Sequence, residues 1–211
     1  MRLYQSIGPN PRVVTMYLAE KGVALERVFV DIIAGENRQP DYLAKNRAGG
    51  VPGLELDDGS VLAESLAICE YLEELHPEPP LLGTSAEERA QTRSALRTID
   101  QAVVVPMTNG FRSAEGLPMF ESRMLCVPVA ADGNKAYARD GLAAIDALLA
   151  GKSWVCGERF TLADILLYAF VDFGGQVGQP IPDGLDHLKA WSARVAARPS
   201  AAISADPANG V

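Results

Sequence analysis

The chain of 211 residues is 48% hydrophobic and 22% charged, with enough apolar side chain for a core and too little charge for a disordered protein. Lys and Arg number 19 against 27 Asp and Glu, and the net charge of −8 repels phosphate backbones and anionic lipid, so no nucleic acid and no membrane partner is expected. Cys69, Cys126 and Cys156 are widely spaced, with only His76 and His187 beside them, which disfavours a disulfide framework, a dithiol motif and a metal site.

No apolar run approaches the roughly 20 residues of a membrane span, and residues 1–6 lack a basic stretch followed by an apolar one, so a cytoplasmic location is expected. Residues 3–5 read as a short strand. Asn10 is expected as an N-cap with Pro11 at the first helical position, and Val13, Met16, Tyr17 and Leu18 supply the buried stripe of a helix ending at Lys21-Gly22. Residues 25–31 are rich in β-branched and aromatic side chains and predict a second strand, and residues 38–46 carry weak helical spacing.

Residues 51–62 form two strand patterns around Asp57-Asp58-Gly59, a hairpin signal. Glu64-Ser65 then opens a helix whose Ile68, Tyr71, Leu72 and Leu75 share one face. The first half therefore reads βαβ, helix, hairpin, helix. Residues 76–84 hold three prolines and a glycine, a stiff connector. The expected divisions are residues 1–76, a linker over 77–85, and an all-helical domain over 86–211.

In that second half residues 86–107, 134–150 and 188–197 have helical periodicity. Thr161 and Asp164 predict a capping box, with Phe160 packed on Ile165, ahead of the nearly all-apolar stretch 162–171. Residues 200–211 are small and polar and are expected to be mobile.

Two dipeptides can carry binding chemistry. Proline offers no amide and X–Pro bonds can be cis, so a cis Pro52 lets Val51 present its amide and carbonyl to an extended peptide, as an added strand would. The free amides of the helix start at Glu64-Ser65 suit a carboxylate, with the Ser65 hydroxyl as a further donor and Glu64 for an ammonium group. Taken singly, these are also the marks of an edge strand and a plain helix cap.

Together with residues 3–12, the span from Gly35 to Asn46, Gly50-Val51-Pro52 and the Phe160–Asp164 box, they make a pattern that resembles the glutathione transferase superfamily nearly end to end, closest to the bacterial theta, phi, beta and nu groups. The resemblance implies a thioredoxin-like βαβαββα domain followed by a helical bundle, a homodimer, and glutathione as co-substrate with a small hydrophobic electrophile. It implies that Val51 pairs with the cysteinyl backbone, that Glu64 and Ser65 hold the γ-glutamyl end, and that Arg38 and Asn37 meet the glycyl carboxylate.

A thiol of pKa about 8.5 is only a few per cent ionised at neutral pH, so the chemistry needs a donor aimed at sulfur. Ser6, Asn10 and the Gly8 amide are the choices; Ser6 is favoured if Asn10 spends its side chain as a cap. No cysteine lies in that loop, which disfavours a mixed disulfide with glutathione. Met107, Phe111, Arg112, Leu117, Met119 and Phe120 are expected to line an electrophile pocket. Conjugation, ether cleavage and peroxide reduction are the expected activities, which belong to detoxification; the rival is a non-catalytic glutathione-binding or protein-interaction module on the same fold.

Overall fold

The computed structural model describes residues 1–205. They divide into two compact units: Met1–Leu81 together with the segment from Ala196 onward, and Leu82–Val195.

In the first unit β1 (Arg2–Gln5), α1 (Pro9–Lys21) and β2 (Glu26–Phe29) are followed by a 3-10 turn at Glu36–Arg38 and the short α2 (Pro40–Leu43). The hairpin β3 (Gly53–Glu55) and β4 (Val61–Ala63) then leads into α3 (Ser65–Leu75). The four strands lie in the order β2-β1-β3-β4, with β1 parallel to β2 and the other pairs antiparallel. Side chains alternate across a strand, so adjacent residues of β1 serve different clusters. Leu3 is fully buried, as are Val13, Met16 and Tyr17 of α1 and Ile68 of α3, whereas Tyr4 joins Val30 and Tyr42.

Lys21, the last residue of α1, has a side chain with no exposure and ion-pairs with Glu73 of α3 at 2.5 Å. Its remaining protons reach the carbonyls of His76 at 2.8 Å and Pro79 at 2.5 Å. Tyr17 donates to the same Glu73 carboxylate. A buried ammonium without such partners is costly, so α1, α3 and the proline-rich segment hold one another in register.

Residues 199–205 form a helix, contrary to the mobile tail expected from their composition; residues 206–211 lie outside the described residues. This helix packs on α1, burying Ser200, Ala201 and Ser204. Arg198 donates two bonds, of 2.7 and 2.6 Å, to Glu20 of α1, and Ser200 donates a third to the same carboxylate. Small side chains permit the close approach, and a contact between positions 20 and 198 leaves no periodic signal.

The second unit is helical. α4 (Ala86–Ile99) runs through a π-helical segment at Asp100–Val104 into α5 (Val105–Arg112), where Pro106 has no amide to donate. There follow α6 (Leu117–Phe120), α7 (Ala131–Leu149), α8 (Leu162–Gln176) and α9 (Asp186–Ala196); with these numbered, the helix at Pro199–Ala205 is α10. Gly141 lets α7 touch the π segment, since a Cβ there would stand 2.1 Å from the Ala102 carbonyl oxygen.

The capping box at the start of α8 forms as expected: the Ala163 amide donates to the Thr161 hydroxyl at 3.3 Å and the Thr161 amide to Asp164 at 2.9 Å. Asp164 also accepts from the Val155 amide and Trp191 Nε1, both at 2.9 Å. Phe160 meets Trp154 edge to face at 5.0 Å. Burial pushes the Asp164 carboxyl up, against the pull of these donors. No described helix is long and apolar enough to cross a membrane.

Candidate functional site

The Val51–Pro52 peptide bond is cis, and the loop before it is tied down one carbonyl after another. Arg38 Nη1 donates to Ala48 at 3.2 Å, Asn37 Nδ2 to Gly49 at 2.7 Å, and the Tyr42 hydroxyl and Asn46 Nδ2 to Gly50 at 2.7 and 2.8 Å. Burial pushes the Tyr42 hydroxyl up to about 12, so it remains a donor at ordinary pH. Gly49 has φ 63, and a Cβ there would meet Arg38 Nη1 at 2.8 Å. The hydrogen bonds end at Gly50. Among the described residues none engages the amide or carbonyl of Val51, so both are left unpaired as on a strand margin.

Asn37 is 5% exposed, its amide nitrogen is committed to Gly49, and its buried Oδ1 has no partner. The donor expected for a carboxylate is thus already used, and the atom left over is an acceptor. Arg38 is exposed and carries guanidinium protons beyond the one bonded to Ala48.

Glu64 has φ 71, the one non-glycine residue in the left-handed region among those described. Such a backbone costs on the order of 1–3 kcal/mol. It turns the chain from β4 into α3 and leaves the Glu64 side chain exposed, with no hydrogen bond of its own as a cap. Ser65 follows at the first helical position, 6% exposed, where the backbone amides have no intrahelical acceptor.

The start of α1 differs from the expectation. Pro9, not Pro11, is the first helical residue; Gly8, with φ 111, occupies the cap, and no side chain caps the helix. Asn10 is therefore the second helical residue, and its side chain is not spent on the backbone. Ser65 Oγ donates to Asn10 Oδ1 at 3.4 Å, bringing the first turns of α1 and α3 together. Because Pro9 and Pro11 have no N–H and the Arg12 amide bonds to Gly8, the donors left at this helix start are the Gly8 amide and, on Asn10, the backbone amide and Nδ2.

Ser6 stands apart from this cluster. It is 2% exposed and its single hydroxyl proton goes to the Val30 carbonyl at 2.6 Å, where it ties β1 to the strand beside it. As placed, it is a structural tie with no proton left for sulfur. The helix start at Pro9 rather than Pro11 depends on the Gly8 conformation, which the sequence does not show. The sequence reading missed Tyr42 and Asn46, whose separation by one helical turn was the available sign.

Family profiles described as the N-terminal and C-terminal domains of glutathione S-transferase match residues 3–80 and 130–199. Glutathione S-transferase 2 of Saccharomyces cerevisiae is 32% identical over 202 residues, spanning 92% of this chain and 84% of that protein. The chain belongs to the glutathione S-transferase family. A glutathione S-transferase domain-containing protein of Marinobacter aquaeolei superposes with a TM-score of 0.89 at 39% identity, covering 95% of this chain and 99% of that one. Gtt2 of Saccharomyces cerevisiae superposes with a TM-score of 0.90 at 31% identity, covering 97% and 100%.

In this transferase the first unit is the thioredoxin-like domain, with the unpaired Val51 margin and the two helix starts. The second unit carries the aromatic stretch singled out in the sequence. Met107 is core, 1% exposed, whereas Phe111, Arg112, Met119 and Phe120 remain partly exposed. Of the cysteines, Cys69 is fully buried and burial pushes its thiol well up, so it is a packing residue.

Proposed function

We propose that the protein binds glutathione along its first unit and transfers the tripeptide sulfur to a hydrophobic electrophile. The observation that carries this reading is the unpaired amide and carbonyl of Val51 at the end of a loop whose other carbonyls are bonded. A cysteinyl residue laid antiparallel to Val51 completes both groups. The Ser65 amide, at the start of α3, receives the γ-glutamyl carboxylate, and exposed Glu64 the ammonium group beside it. Arg38 is the cation for the glycyl carboxylate; Asn37 acts through the loop it holds.

Thiol activation is assigned to Asn10. Its Oδ1 is engaged by Ser65, which leaves Nδ2 and the backbone amide to stabilise the thiolate. Lowering a thiol pKa by one unit takes about 1.4 kcal/mol, the scale of one or two such bonds. The thiolate then attacks an electrophilic carbon, forming a C–S bond as the leaving group departs with its electron pair.

Cytoplasmic location, the homodimer and the detoxification role are part of the same proposal. Retention on immobilised glutathione, followed by ultraviolet titration of the bound thiol, tests the reading. Retention with a bound thiol pKa at least one unit below that of free glutathione is expected. Retention with an unshifted pKa overturns the transferase reading in favour of a binding module, and no retention overturns both.

A further inference from the structure

A single helical turn is too short to cover one face of a sheet. Tyr4 of β1 and Val28 of β2 are register partners, so their side chains point to the same side, and Val30 joins them two positions on. Over them lies α2, four residues long, which sets Tyr42 edge to face against Tyr4 at 5.8 Å. Beside these rings is a cavity of about 280 Å³, contained wholly in the first unit. Its floor is apolar because both phenol hydroxyls are spent elsewhere: Tyr4 donates to Glu55 and Tyr42 to the Gly50 carbonyl. None of the residues assigned to glutathione lines it.

The rim is charged unevenly. Lys45, the one cation of the lining, is held by Glu55 at 2.9 Å and lies 5.4 Å from the centre of the Tyr4 ring. Its charge is answered. Glu36 and Asp41, both exposed, also line the cavity. Glu36 accepts from the Asp31 amide at 2.7 Å, and no cation among the described residues pairs with either carboxylate. Aromatic rings and carboxylates both favour a cation, and an apolar floor favours one with a hydrophobic body. We infer that this cavity is a second ligand site, for a protonated aromatic amine whose ring lies on Val28, Tyr4 and Tyr42 and whose ammonium group meets Asp41 and Glu36. A carboxylate on the same skeleton meets like charge at the rim, which sets the sign of the selectivity. This goes beyond the glutathione reading and does not rest on it.

Calorimetric titration at neutral pH with tryptamine, 3-ethylindole and indole-3-propionate, which share one skeleton and differ in charge, reads the site. The wild-type protein is expected to bind tryptamine roughly tenfold more tightly than 3-ethylindole, with indole-3-propionate weaker still. Combining Glu36→Gln with Asp41→Asn should bring tryptamine and 3-ethylindole together, and Asp41→Lys should narrow or reverse the order of the two ions. Val28→Trp, which fills the cavity, should weaken all three. Thermal unfolding of each variant separates these effects from misfolding. Saturating glutathione is expected to leave tryptamine affinity unchanged; competitive loss places the amine in the glutathione cleft and overturns the inference. Equal binding of the three compounds, no binding of tryptamine, or an amine preference that survives in the Glu36→Gln, Asp41→Asn variant also overturns it. Failure of glutathione retention strikes the transferase reading instead and leaves the charge order to judge this cavity.

Discussion

Ser65 Oγ lies 3.4 Å from Asn10 Oδ1, a contact across 55 positions of sequence that fixes which way the Asn10 amide faces. Asn10→Ala is expected to raise the bound thiol pKa by at least one unit, about 1.4 kcal/mol of lost thiolate stabilisation. At neutral pH kcat falls roughly tenfold or more, and the pH profile moves upward because the thiol must now ionise with less help. Ser65→Ala gives a smaller rise in the same titration, together with weaker glutathione binding. An unshifted thiol pKa in Asn10→Ala assigns activation elsewhere.

Ser6→Ala should separate fold from chemistry. Removing its bond to the Val30 carbonyl leaves a buried acceptor unsatisfied, a loss of about 1–3 kcal/mol in denaturant unfolding. The bound thiol pKa is expected to stay at its wild-type value. A rise of one unit in Ser6→Ala would return the thiol-activating role to this serine.

Lys21→Met is expected to destabilise the protein by about 3–5 kcal/mol, because it strands the Glu73 carboxylate in the core and frees the carbonyls of His76 and Pro79. Pairing it with Glu73→Leu should recover part of that loss, since replacing both charges removes the unpaired one. Chemical denaturation of the two single variants and the double variant measures it.

Docking of α10 should depend on acid. Burial works against the Glu20 carboxylate, but the bonds from Arg198 and Ser200 and the Arg198 charge hold its pKa below the ordinary carboxylate range. An acid depressed in the folded state contributes stability above its unfolded pKa and loses it as the pH falls through the folded one. Amide exchange in residues 199–205 is therefore expected to rise below about pH 4 before the sheet opens. Glu20→Gln should remove that dependence and cost about 2 kcal/mol.

Much of the fold is written in local signals. The Asp57-Asp58-Gly59 turn and the Thr161–Asp164 box depend on neighbours a few residues away and stand where the spacing puts them; of the face expected on α3, Ile68 and Leu72 are buried, Tyr71 is partly exposed and Leu75 is exposed. Val51-Pro52 and Glu64-Ser65 were legible as candidate contacts for the same reason. What stayed hidden depends on distance or on backbone freedom. Asn10 reads as a cap until Gly8, with φ 111, takes that place. Residues 199–205 read as a loose tail because their burial comes from small side chains on α1 and from Glu20, far away in the chain. The weak spacing over residues 38–46 resolves into four residues of α2, held chiefly by bonds to the neighbouring loop.

The return of α10 to α1 means that the first unit is discontinuous in the chain, with the entire helical unit inserted between its two pieces. During synthesis the sheet and α1 emerge early, yet the Glu20 carboxylate meets Arg198 only once the helical unit between them has left the ribosome. A fragment cut after Leu81 would expose the face of α1 that α10 covers, so the two units are better separated by circular permutation than by truncation.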